Sequence, residues 1–301
     1  MEVNIIPHKL RRHEIPGRVE IISGCGSLPL VKIHTPWSTA EIYLLGAHAA
    51  AFQKKGEPPL LFMSSKSSYA LGKPIRGGVP ICFPWFGPRA GDAGHGFARL
   101  VEWDLAQVEA TPDGAVTLRF CLPEVSGREN WKNLRTEFVV TVGERFAMEL
   151  VVTNQSTSTL EVENCLHTYF QVADIGAISL TGLQGVPFDD FAAGLTGVRK
   201  VEHTAALRIT AETNRVYPDH SGAVKIHDEK FRRTICVEKS GSASTVVWNP
   251  WVEKARVMAD FGDDEYRHMV CVESGNARTS RTTLAPGLAN TLKVVLSSRL
   301  T

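Results

Sequence analysis

Strand-like stretches recur along the chain, most clearly at 116–120, 137–142, 146–153, 245–248 and 292–296, and in several of them apolar and polar residues alternate with a period of two. These stretches are rich in β-branched and aromatic side chains, the composition of half-buried strands, and the period sends successive side chains to opposite faces. Turn-forming clusters fall between them, among them Pro112-Asp113-Gly114, Pro218-Asp219, Gly262-Asp263-Asp264 and Pro286-Gly287. A helical period is nowhere sustained, although short helical turns are expected around 127–133 and 252–256. There is no fixed-period repeat, no Gly-rich phosphate loop opening a helix and no low-complexity linker. The cadence predicts an all-β protein, a large antiparallel β-sandwich with few short helices, its strands running from near residue 18 to the C-terminus.

Charge narrows the function. The 301 residues carry 33 Lys and Arg against 32 Asp and Glu, a net charge of +1. A nucleic-acid binder draws its affinity from a concentrated basic surface, so this balance argues against such a partner while leaving room for a small anion held by a few arginines. No apolar run approaches the length of a membrane span, and residues 1–18, with Lys9, Arg11, Arg12, His13 and Glu14, lack the apolar core of a secretory signal. The chain is expected in the cytoplasm, as a monomer or a weak homo-oligomer. Cys25, Cys82, Cys121, Cys165, Cys236 and Cys271 stand singly, without metal or dithiol spacing, and are expected to be buried free thiols. Length alone allows two domains; the single sandwich is expected to take in residues 1–301.

Two segments interrupt the strand rhythm. Arg76-Gly77-Gly78-Val79-Pro80-Ile81-Cys82-Phe83-Pro84-Trp85-Phe86-Gly87-Pro88 holds three prolines and three glycines in thirteen positions, which fixes an irregular path and lets paired glycines approach a ligand. His95-Gly96-Phe97-Ala98-Arg99 follows. Aromatic rings beside arginines and a histidine suit a polar ligand that stacks and accepts hydrogen bonds; the same composition suits a packed loop over a sheet edge with solvated arginines.

Chemistry is concentrated in two strand-like segments. In the first, alternation groups Glu163, Cys165, His167 and Tyr169 on one face; in the second it groups Met269, Cys271 and Glu273. Each thus places a titratable group two residues after a cysteine. Taken singly, His167 reads as a half-buried, hydrogen-bonded histidine and Glu273 as a rim carboxylate. If both faces are concave, an imidazole and a carboxylate meet over one cavity.

The loop from Arg76 to Pro88, the string from His95 to Arg99, Leu166-His167-Thr168-Tyr169-Phe170, Leu180-Thr181-Gly182-Leu183-Gln184-Gly185 and Val270-Cys271-Val272-Glu273-Ser274-Gly275-Asn276-Ala277 together resemble the glucose-6-phosphate 1-epimerases. These are hexose-6-phosphate mutarotases of the aldose 1-epimerase, or galactose mutarotase-like, superfamily. The resemblance implies a β-sandwich that interconverts the α and β anomers of a hexose phosphate with no cofactor and no metal. It implies His167 as general acid, Glu273 as general base, His95 and Arg99 as sugar-binding residues, Arg76 as a holder of the phosphorylated substrate and Asp190 as a further substrate contact. Two positions depart from the family pattern: Gly94, where many relatives carry Gln, and the segment from Glu212 to Tyr217, where many carry an Asp.

Those residue types suit the reaction. Opening a cyclic hemiacetal removes the proton of the C1 hydroxyl and protonates the ring oxygen, so a base and an acid must flank the anomeric centre. An imidazole with an ordinary pKa near 6.5 exchanges protons readily at neutrality. Arginine's planar fork matches phosphate oxygens better than a lysine does. Two other readings stay open: a mutarotase for unphosphorylated aldoses, and a non-catalytic sugar-phosphate binding protein. A metal site built on His95 and His167 lacks regular ligand spacing.

Overall fold

A computed structural model describes residues 6–192 and 194–301. The first five residues of the N-terminal segment considered above lie outside it. The expected architecture is met: the chain is mostly antiparallel sheet, and among the described residues the α-helices are His8–Arg11 and Trp251–Val257. The second of these, together with the short 3-10 turn Glu129–Trp131, falls where helical turns were expected.

Two eight-stranded sheets dominate. The scaffold sheet holds, in neighbour order, Ile178–Thr181, Val224–Asp228, Arg233–Ser240, Ala289–Leu300, Phe146–Asn154, Leu134–Val142, Val116–Cys121 and Asp104–Ala110. Its strands keep the alternation seen in the sequence. Along Phe146–Asn154 every second residue is buried and those between are half-exposed, and Leu134–Val142 pairs with it in continuous register from Leu134 opposite Asn154 to Val142 opposite Phe146. Phe120, Phe138, Phe146 and Leu150 point inward and are fully buried.

The second sheet carries the site. Its central strands, Ser244–Asn249 and Met269–Asn276, are buried at every position, so each has a cover on both faces. On one face Val247, Val270 and Val272 join the main core with the scaffold residues. On the other, Trp248, Met269 and Cys271 form a smaller cluster with Tyr169, Phe62 and Phe261. Register sets Val246 opposite Glu273 and Trp248 opposite Cys271, and these side chains share the face turned away from the scaffold sheet because side chains alternate along a strand. The strand Asn164–Leu166 lies on the other side of Met269–Asn276, with Tyr169–Gln171 pairing farther along the same strand.

The glycine pair in the first loop serves a different purpose from the one its sequence suggests. Gly77 and Gly78 have φ values of 110° and 56°, but what they approach is protein. A Cβ on Gly77 would lie 2.4 Å from the Phe62 carbonyl oxygen, and one on Gly78 would lie 2.2 Å from that of Ala49. They let the loop lie flat on its own backbone neighbours, which fixes Arg76 at one end and leads the chain into the strand Ile81–Cys82. The cysteines also divide: Cys82, Cys165 and Cys271 are buried free thiols, Cys121 and Cys236 are half-buried, and Cys25 is exposed.

Candidate functional site

Strand alternation brings His167 and Glu273 together. Asn164–Leu166 and Met269–Asn276 are hydrogen-bonded neighbours, with Leu166 opposite Ser274 and Cys165 opposite Gly275. His167 leaves its strand end by bonding its amide to the Pro80 carbonyl, and its Nε2 stops 3.2 Å from Glu273 Oε1. Glu273 is no rim carboxylate: it is 1% exposed, His167 is 8% exposed, and its second oxygen accepts from the Cys165 thiol at 3.6 Å. The pair forms part of the lining of a cavity of about 330 Å³.

Burial sets the protonation of the pair. It pushes the His167 imidazole well below its ordinary value, with the neighbouring His95, Arg76 and Arg99 adding to the effect. It pushes Glu273 well above the usual carboxylate range, opposed by the Cys165 hydrogen bond and by Arg99. Both shifts have one physical origin, the cost of an isolated charge away from water. Two groups so placed hold one proton between them and titrate as a unit.

Around the pair stand rings and donors. The Tyr169 ring stacks on His167 at 4.8 Å and 14°, and Trp248 meets it edge-on at 6.0 Å. The Tyr169 hydroxyl accepts from Arg76 Nη1 at 2.9 Å, while Arg76 Nε and Nη2 donate to one Asp260 oxygen at 3.2 and 3.0 Å. Arg76 therefore lines the cavity with much of its charge already answered. His95 also lines it, 5.8 Å from His167. Gly87 N–H donates to His95 Nδ1 at 3.3 Å, and burial together with Arg99 pulls His95 down to about 3. A neutral ring accepting at Nδ1 carries its hydrogen on Nε2, so His95 is a neutral donor.

Not every expected residue reaches the cavity. Arg99 does not line it; its Nη2 donates to the Gly94 carbonyl at 2.7 Å, its Nε is buried without a partner, and it acts as a fixed positive charge behind His95, His167 and Glu273. Asp190 does not line the cavity either, although the next residue, Phe191, packs under Arg278. Asp190 is 6% exposed, bonded to Lys200 Nζ at 2.7 Å and to the Ala192 amide at 3.0 Å, and it lies on Pro187–Asp190, two strands from Met269–Asn276 across Thr213–Pro218 and Ser244–Asn249. The expected aromatics divide likewise. Phe86 and Trp248 line the cavity, whereas Trp85 donates its indole N–H to Ala93 O and sits under Arg89 at 4.6 Å, packing the loop.

Sequence reading missed Arg278, Lys254 and the placement of Asn214, all of which line the cavity. Arg278 follows directly on the string ending at Ala277. It adopts φ 56°, its amide donates to Glu163 Oε1, and its guanidinium lies 4.0 Å over the Phe191 ring with Nε buried and unbonded. Glu163 also accepts the Phe86 amide through its other oxygen at 3.0 Å, so one carboxylate ties two walls of the cavity together. Lys254, on the short helix, pairs with Glu212 at 3.3 Å. Asn214 lies in the segment that departs from the family pattern.

Chemically, the arrangement offers a buried acid/base pair sharing one proton, a neutral histidine donor, two aromatic walls and three cationic side chains around one opening. A ring nitrogen of His167, Cys271 Sγ and a Glu273 oxygen also lie within 4.8 Å of one another; His95 is no part of that group.

Comparison with known proteins gives the family. A family model described as aldose 1-epimerase matches residues 29–297. A protein of Escherichia coli (strain K12) named "Putative glucose-6-phosphate 1-epimerase" is 33% identical over 253 residues, 83% of this chain and 84% of that one. One of the same name from Cenchrus ciliaris is 33% identical over 258 residues, 82% and 78% of the two chains. Among solved structures, a "putative mutarotase" from Salmonella typhimurium aligns with a TM-score of 0.87 at 28% identity over 96% of both chains. With its sandwich and its paired histidine and glutamate, the chain belongs to the aldose 1-epimerase family.

Proposed function

We propose that the protein interconverts the α and β anomers of a hexose 6-phosphate, glucose 6-phosphate first among them. Glu273 takes the proton of the C1 hydroxyl and His167 protonates the ring oxygen. The observation that carries this reading is the 3.2 Å contact of His167 Nε2 with Glu273 Oε1 at a cavity whose walls hold Arg76, Arg278 and Lys254.

Proton bookkeeping supports it. In the charged form of the pair, the carboxylate accepts from the C1 hydroxyl while the imidazolium donates to the ring oxygen, and the C1–ring oxygen bond breaks to give the aldehyde. The pair is left as neutral imidazole and carboxylic acid, still with one proton. Rotation about the C1–C2 bond presents the other carbonyl face, and the reverse transfers close the ring as the opposite anomer. Nothing is consumed, and the two tautomers serve opening and closing in turn. Burial favours the neutral tautomer, imidazole with carboxylic acid; the Arg99 charge favours the Glu273 carboxylate, and the hydroxyl and ring oxygen of a bound sugar supply the partners that the charged tautomer needs. The Tyr169 stack and the Arg76 to Tyr169 bond hold the imidazole plane, which limits the reorganisation each transfer requires.

Arg278 supports a phosphorylated substrate over a plain aldose. Arg76 is paired with Asp260 and Lys254 with Glu212, whereas the Arg278 guanidinium stacks on Phe191 and stands in no ion pair among the described residues. Glu163 and Asp189 act on it from nearby; a phosphate dianion adds a direct partner, and its hydrogen bonds to a guanidinium are charge-assisted. The test compares anomer exchange of glucose 6-phosphate and glucose by NMR for the wild type and Arg278→Ala. The reading expects faster exchange of the phosphate ester at equal concentration and a preference that collapses in Arg278→Ala. Equal rates for the two sugars, unmoved by the substitution, would assign the enzyme to unphosphorylated aldoses, and no exchange of either sugar would leave a sugar-phosphate binding protein. We place the reaction in the cytoplasm; among the described residues no helix is long and apolar enough to cross a membrane.

A further inference from the structure

We propose that the acid/base pair is also a binding site for a thiophilic divalent cation such as Zn²⁺ or Cd²⁺, which excludes the shared proton and thereby switches the pair off. The inhibitory consequence rests on the reading above; the binding does not. A ring nitrogen of His167, Cys271 Sγ and a Glu273 oxygen lie within 4.8 Å of one another. Bond lengths of about 2.0 to 2.3 Å at a tetrahedral ion place its ligands about 3.3 to 3.8 Å apart, so closure of the set takes side-chain adjustments of about an ångström and no change of backbone. The 3.2 Å histidine–glutamate edge is already there.

Three features make this set more than a coincidence of buried groups. Register holds it: Cys271 and Glu273 are two residues apart on one strand, opposite Trp248 and Val246, so both project to the face that His167 covers. Charge suits it as well, because a divalent ion with one carboxylate and one thiolate sums to zero. The site then buries no net charge beside Arg76 and Arg99. An ion reaches the set from the cavity, which His167 and Glu273 line with Cys271 fully buried behind them, and the fourth position is left to water or to the Cys165 thiol, 3.6 Å from the other Glu273 oxygen. A nitrogen, a sulfur and one carboxylate select zinc-like and cadmium-like ions over magnesium or calcium, which demand oxygen ligands.

Protons balance as follows. The ion enters as the dication, the one-proton pair gives up its proton, and the Cys271 thiol gives up another, so two protons leave for each ion bound. Apparent affinity therefore rises with pH, by up to about a hundredfold per unit where both protons are still bound.

The experiment is a Cd²⁺ titration of chelator-treated protein carrying Cys25→Ser, which removes the exposed thiol, read by the thiolate-to-cadmium absorption band and by calorimetry, with anomer exchange followed in parallel. The expected result is one equivalent bound with the band present, exchange lost in step and restored by a chelator. Cys271→Ala should lose the band and need at least tenfold more Cd²⁺ for half-inhibition, and His167→Gln, read by calorimetry, should bind at least tenfold more weakly. Absence of the band, or a band of undiminished affinity in Cys271→Ala or His167→Gln, would overturn the proposal. Cys271-dependent binding to a protein that shows no exchange would keep the cation site and overturn the epimerase reading instead.

Discussion

The two large sheets are built on one repeat and use it differently. In the scaffold sheet the alternation of Phe146–Asn154 separates core from the wetter side: every second residue is buried, and between them stand Ala147, Glu149, Val151 and Thr153, half-exposed. In the site sheet, Met269–Asn276 is buried throughout, and the same alternation separates two kinds of interior. Val270 and Val272 enter the apolar core; Met269, Cys271 and Glu273 enter the layer beneath the cavity. A strand covered on both faces can carry chemistry on one of them, because the apolar face alone secures its position. The cost of a buried carboxylate is met by the single proton it shares with His167.

If that division is right, substitutions in the two sheets separate activity from stability. The largest effect falls on His167→Gln, which should lower anomer exchange by roughly a hundred- to ten-thousand-fold, the contribution of a positioned acid or base, while the thermal midpoint stays within a few degrees of wild type. Phe146→Ala should do the reverse. Phe146 is fully buried and stacks on Phe52 at 4.8 Å, so its loss should cost about 3 to 5 kcal/mol in denaturant unfolding, with exchange per folded molecule unchanged. A Phe146→Ala protein that is stable but inactive would break the comparison.

Arg278→Ala tests the boundary between wall and floor. Removing the guanidinium should raise KM for glucose 6-phosphate roughly tenfold, the loss of a charge-assisted contact, with kcat little changed. An equal fall in kcat would mean that Arg278 acts on the anomeric centre itself.

The remaining effect concerns acid stability rather than activity. His48 is 2% exposed, and burial, with Arg99 adding to it, lowers its pKa from 6.5 to about 3. The unfolded chain binds that proton more readily, so the folded state gains from the neutral ring above pH 6.5 and loses the gain as pH falls toward 3. Between pH 6.5 and 5 the loss is about 2 kcal/mol for this one group. His48→Gln should flatten the fall of unfolding free energy over that range; a slope identical to wild type would assign the acid sensitivity elsewhere.

How much of this was legible in the sequence follows from the same contrast. Phe146–Asn154 was readable almost to its ends because water on one side enforces the pattern. The His167 and Glu273 pair was readable because each residue shares a strand face with a cysteine two positions before it, although the contact between them depends on the register of Leu166 opposite Ser274, which no local pattern specifies. Arg278, Lys254 and Asn214 were not readable, since they come from a positive-φ turn, a short helix and another strand and converge only through the sheet order. Asp190, expected as a substrate contact, does not line the cavity. Its neighbours match a motif loosely, but Lys200 on the adjacent strand satisfies it locally. The Gly77-Gly78 pair signalled close approach correctly and its partner wrongly, because a sequence does not say whether the crowding atom belongs to a ligand or to Phe62 and Ala49.

The most direct test of the account is saturation-transfer NMR of α-glucose 6-phosphate with the wild type and Glu273→Gln at matched folded concentration. The amide keeps the size of the carboxylate and removes its capacity to accept the C1 hydroxyl proton. The account predicts exchange reduced by at least about a hundredfold in a protein of unchanged or higher thermal stability, since an ionisable group has left the interior. Exchange within a few-fold of wild type would contradict it and show that the C1 hydroxyl loses its proton by another route.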